Sequence, residues 1–95
     1  MAKFLTLWEM DTTRIPDSPE EQIRYYTMLV NMIKDDLKTG KTLEFGMFAG
    51  GLGGYVIREG TEQEIHMETM KYSPLTTFKT YPVLSTSQIE EMMKA

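Results

Sequence analysis

Residues 3–10 alternate with period two, Phe4, Thr6 and Trp8 to one side and Leu5 and Leu7 to the other, which predicts a β-strand that is apolar on both faces. A polar loop with Pro16 follows. Ser18-Pro19-Glu20-Glu21 then reads as a helix start, with Ser as N-cap, Pro in the first turn and Glu placed to close a capping box. At about 100° per residue, Ile23, Tyr26, Leu29, Val30, Ile33 and Leu37 gather on one arc opposite Arg24, Thr27, Asn31, Lys34 and Lys38. This is the pattern of an amphipathic helix lying on a core, and Gly40 ends it in the left-handed region.

Residues 42–49 alternate again, with Leu43, Phe45 and Met47 against Glu44, Gly46 and Phe48. The cluster Ala49-Gly50-Gly51-Leu52-Gly53-Gly54 supplies the conformational freedom of a hairpin turn, and residues 54–59 return with Tyr55 and Ile57 against Val56 and Arg58. Thr61-Glu62-Gln63-Glu64 is a second capping box, opening a helix to about residue 72 that Pro74 stops. Residues 76–84 form the last extended run. Pro82 within it donates nothing to a ladder, so this strand belongs at an edge. Ser87-Gln88-Ile89-Glu90 begins a short final helix with Ile89, Met92 and Met93 as its apolar contacts.

The order βαββαβ predicts an α+β fold: one ferredoxin-like unit over residues 1–95, with a four-stranded antiparallel sheet and a short C-terminal helix. Ninety-five residues bury roughly 60–70% of their unfolded surface, enough for one modest core. The helices of such a unit cover one sheet face only. Apolar residues on both sides of the first strand therefore imply a partner for the uncovered face, and two-fold pairing of sheets in a homodimer supplies it. On that expectation Trp8→Asp dissociates or unfolds the dimer, because an unpaired charge in a buried interface costs several kcal/mol.

Composition narrows the chemistry. A net charge of −4, with ten scattered basic residues, argues against nucleic-acid binding. Cys is absent and His occurs once, which excludes a disulfide framework and a Cys- or His-based metal site, and no cofactor is expected. The glycine cluster lacks the order of a phosphate loop and leads into a strand, so a turn is its better account. No apolar run has signal or membrane-spanning length, so no membrane partner is expected and a cytoplasmic protein is the default.

Gly53-Gly54-Tyr55, the second helix, Ser73-Pro74-Leu75, Phe78 and Pro82-Val83-Leu84-Ser85 together resemble the dimeric α/β-barrel superfamily, near its short uncharacterised members and the muconolactone-isomerase-like proteins. The resemblance implies a barrel-forming dimer and a ligand cleft between helices and sheet. Asn31 on the polar arc and Trp8 without a partnered Asn depart from the superfamily's cofactor-free monooxygenases and haem-degrading members.

Histidine ordinarily titrates near neutrality, which makes His66 the candidate proton-transfer group. On the second helix it shares an arc with Ile65 and Met70, and that arc is expected to face the sheet. Trp8, Tyr26, Tyr55, Arg58 and Met70 are the candidate ligand-binding residues, and nine Met residues provide adaptable apolar lining. Glu44 and Arg58 are candidates for a pair across the hairpin. Two functional readings follow. In the first, a homodimer binds a small, mostly apolar or anionic molecule between sheet and helices. In the second, a small isomerase or cofactor-free monooxygenase uses His66 as acid/base, with Arg58 or Tyr55 orienting the substrate.

Overall fold

The computed structural model describes residues 2–94. Strand β1 (Ala2–Met10), helix α1 (Pro19–Lys38), strands β2 (Glu44–Met47) and β3 (Gly53–Gly60), helix α2 (Glu62–Met70), strand β4 (Thr76–Val83) and helix α3 (Thr86–Met93) follow one another, with a short 3-10 turn at Thr12–Arg14. The sheet order is β2-β3-β1-β4 with every pairing antiparallel, the order of a ferredoxin-like unit. Pro82 lies on edge strand β4, as its missing donor requires. Among the described residues no helix is long and apolar enough to cross a membrane.

Most local signals act where the sequence places them, although the box expected at Ser18 forms only its first half, without a return bond from Glu21. Ser18 accepts from the Glu21 amide and Thr61 from the Glu64 amide, with Glu64 answering to the Thr61 backbone, and Gly40 and Gly50 both take φ of 80°. The last helix starts earlier than expected: Ser85 is its N-cap and forms a complete capping box with Gln88. Helix α2 stops at Met70, and a turn containing a cis Ser73–Pro74 bond leads to β4.

Register fixes which residues share a face. Phe4, Thr6, Trp8 and Met10 of β1 are buried beneath the helices, in line with Val56 and Arg58 of β3 and Phe78 of β4. Trp8, Met10, Leu29, Val56 and Tyr72 form the core, with Tyr25, Met32, Ile33, Phe45 and Leu75 packed around it. The opposite face sets Leu5 between Ile57 and Tyr81, and Leu7 between Tyr55 and Lys79; neither α1 nor α2 covers it.

Helix α1 is turned relative to the arc that periodicity singles out. Leu29 is buried and Ile33 half-buried, but Ile23 is 67% exposed, and Tyr26, Val30 and Leu37 are also exposed. The inward row is Tyr25, Leu29, Met32 and Asp36 at helical spacing. This rotation brings the Asp36 carboxylate to Lys71 Nζ at 2.8 Å and Tyr72 Oη at 2.7 Å. Helix α3 differs more. Every one of its residues is exposed, Met93 to 80%, so Ile89, Met92 and Met93 do not make the core contacts expected of them. The chain is correspondingly long, 58 × 26 × 20 Å, with a radius of gyration of 15.6 Å against about 12 Å for a compact domain of this length.

Candidate functional site

Between α1 and the inner sheet face lies a half-open cleft of about 140 Å3. Trp8, Leu29, Phe45, Val56 and Phe78 form its walls, and Tyr26 and Val30 form its rim. Its shape is local in origin. Trp8 stands opposite Gly54, where a Cβ would come within 2.6 Å of the indole Cζ2, so only glycine lets the ring lie flat on β3. Seated there, the indole stacks on Phe45 with centroids 5.4 Å apart and planes 14° apart. The rotation of α1 that buries Asp36 leaves Tyr26 and Val30 at the mouth instead of in the core.

Behind one end of the cleft, whose own surface is almost wholly apolar, lies a cluster of buried polar groups. The Arg58 guanidinium, only 3% exposed, donates from Nη1 to Thr69 Oγ1 at 3.2 Å and from Nε to Thr42 Oγ1 at 3.4 Å. Thr69 in turn donates to the Ile65 carbonyl at 2.8 Å. Behind it, Lys71 bridges Asp36 at 2.8 Å and Glu68 at 2.6 Å, while Lys41 reaches Glu68 at 3.6 Å. Burial alone raises the Asp36 carboxyl pKa, but hydrogen bonds from Lys71 and Tyr72 outweigh it and leave the group below its ordinary value. Burial lowers the Lys71 ammonium pKa, and its bonds to Asp36 and Glu68 more than reverse that. Burial and then the bond to Asp36 push the Tyr72 phenol up, so it stays protonated. Burial draws the Arg58 pKa down; a guanidinium nevertheless remains charged.

Of the residues expected at a site, Trp8, Tyr26 and Arg58 line this cleft. Tyr55 does not: it sits on the outer sheet face, where Gly46 makes room for its ring, and burial there is slight. A hydrogen bond with Glu44, followed by weak burial, raises the Tyr55 phenol pKa. Glu44 and Arg58 lie on opposite faces, since Glu44 pairs with Ile57, and the pair expected across the hairpin does not form. Met70 is exposed and away from the cleft. His66 is exposed too and lines neither the cleft nor the open depression beside α2. Ile65 and Thr69, four apart, take the inward arc, so the residue next to Ile65 turns to solvent. His66→Ala is accordingly expected to change stability by less than about 0.5 kcal/mol in urea denaturation. A loss well above that would place the imidazole in a contact.

Asp36, Thr42, Thr69 and Tyr72 are the site residues that reading by motif misses. The available signal for Asp36 is its place four residues after Met32 and seven after Leu29, in the row that faces the core. Beside Asp35 it otherwise reads as part of a solvated acidic pair. No family model matches this chain, and no curated protein matches it.

Proposed function

We propose that the chain is a binding module that holds a small, largely apolar molecule between α1 and the inner sheet face, and that it works as a homodimer paired through its outer sheet face. The observation that carries the reading is the cleft itself, aromatic and aliphatic on its walls with a few buried polar groups behind one end. Its volume of about 140 Å3 is close to that of apolar cavities of about 150 Å3 that take up benzene.

Surface area supports the pairing. The chain exposes 6892 Å2, about 1,300 Å2 more than the ~5,600 Å2 typical of a monomer of this mass. A standard interface removes about 800 Å2 from each partner. Leu5, Leu7, Ile57 and Tyr81 on the outer face, and Leu84, Ile89 and Met92 toward the C-terminus, are the surfaces such an interface would use. The alternative, an isomerase or cofactor-free monooxygenase with His66 as acid/base, finds no support in the geometry, because His66 is exposed and outside the cleft.

Light scattering at micromolar concentration is expected to give a dimer, and Leu7→Lys a monomer with an unchanged far-UV circular dichroism spectrum. A wild-type monomer would remove the pairing. In a thermal-shift screen, benzene-sized aromatic acids and lactones are expected to raise Tm, since a ligand at a hundred times its Kd adds about 2.7 kcal/mol of stability. Stabilisation by ATP, NAD or oligonucleotides, with none from the aromatic compounds, would show that the cleft is not the binding site.

A further inference from the structure

The charged groups behind this end of the cleft do not balance. Asp36 and Glu68 are matched by Lys71 and Lys41, each carboxylate in contact with at least one ammonium. Arg58 is the cation left over. Among the described residues no carboxylate oxygen lies within ion-pairing distance of it; its only partners are the hydroxyls of Thr42 and Thr69. Asp36 and Glu68 act on the guanidinium only from beyond ion-pairing distance, and a buried guanidinium whose direct bonds go to neutral hydroxyls is well suited to binding a carboxylate. Beside the cleft lies a donor without an acceptor. Trp8, 9% exposed, has no hydrogen-bond partner for its indole Nε1–H among the described residues. The hydroxyls near Arg58 are already engaged, Thr69 with the Ile65 carbonyl and Tyr72 with Asp36. What the cleft lacks is therefore an acceptor carrying negative charge.

We infer that the ligand is a monocarboxylate of about benzoate size, its carboxylate paired with Arg58 and its apolar body lying against Trp8 and Phe45. This rests on the apolar-cleft reading above. A guanidinium without a direct ion pair calls for a single negative charge; a phosphate dianion would bring an excess that the more distant Asp36 and Glu68 oppose. The walls offer only apolar surface to the rest of the molecule, which sets its character as aromatic or short aliphatic.

The test is a matched panel, 3-phenylpropanoate and hexanoate against their primary amides and alcohols, titrated calorimetrically into wild type, Arg58→Lys and Arg58→Met. Wild type is expected to bind each acid at least about tenfold more tightly than its amide, Arg58→Lys to keep the preference in reduced form, and Arg58→Met to lose it while still binding the alcohols. Equal affinity for acid and amide in wild type would overturn the assignment and leave the apolar cleft standing. Binding of neither class would overturn both. If Arg58→Met does not fold, the wild-type comparison of acid with amide decides alone.

Discussion

Trp8→Asp is expected to abolish cooperative folding, not to release intact monomers from an assembly. Periodicity alone leaves Trp8 available to an intersubunit face; in the structure it lies beneath the helices, with Leu5 and Leu7 on the uncovered side. The indole packs on Phe45, over Gly54, and within the cluster of Met10, Leu29, Val56 and Tyr72. Truncating a buried Trp costs about 3–5 kcal/mol through lost burial and an unfilled cavity, and an unpaired carboxylate adds its own desolvation. Domains of this size have roughly 5–15 kcal/mol in total. Urea denaturation followed by circular dichroism should show no folded baseline for Trp8→Asp and a lower midpoint for Trp8→Ala. A folded, monomeric Trp8→Asp would instead place the indole in an interface. Because Trp8 also walls the cleft, Trp8→Phe is the variant for separating ligand affinity from stability.

Asp36→Asn is expected to cost about 2–3 kcal/mol at pH 7, because it removes the buried carboxylate to which Lys71 and Tyr72 both donate and leaves Lys71 with Glu68 alone. The loss should depend on pH in a defined direction. The folded-state pKa of Asp36 lies below its ordinary value of 3.8, so its contribution is complete above that value and disappears as pH falls through the folded pKa. Wild type and Asp36→Asn should therefore differ fully at pH 7 and draw together only as pH falls below 3.8 and through the folded pKa, as read from urea midpoints at pH 7 and along an acid series. A difference that stays constant across this range would mean that Asp36 acts by packing and not by charge. At the alkaline end, Tyr72 holds its proton more tightly when folded, so stability is lost as pH rises above its ordinary value of 10.0, where the unfolded phenol ionises first.

Local interactions wrote much of this fold into the chain. Period-two alternation marks the first three strands, Ser18 and Thr61 cap the first two helices, Gly40 ends α1, the glycine cluster turns β2 into β3, and Pro82 puts β4 at the edge. These features act within a few residues of themselves, so a linear reading reaches them. The sheet order follows from the same succession of elements. Trp8, Tyr26 and Arg58, singled out from the sequence, all line the cleft, Tyr26 at its rim and not in the core that its place on the apolar arc predicts.

What only the tertiary structure decided is how each element is turned against the others. Both faces of β1 are apolar, so alternation divides its residues without saying which set the helices take. The apolar arc of α1 is wide enough for several rotations, and the one adopted is joined to contacts with Lys71 and Tyr72, some thirty-five residues away, which a helical wheel does not contain. Helix α2 has nine residues and buries only Ile65 and Thr69, too short a row to show from spacing that His66 faces solvent. That Arg58 has no direct ion pair among the described residues likewise depends on which lysines reach Asp36 and Glu68, and that is a property of three-dimensional neighbours.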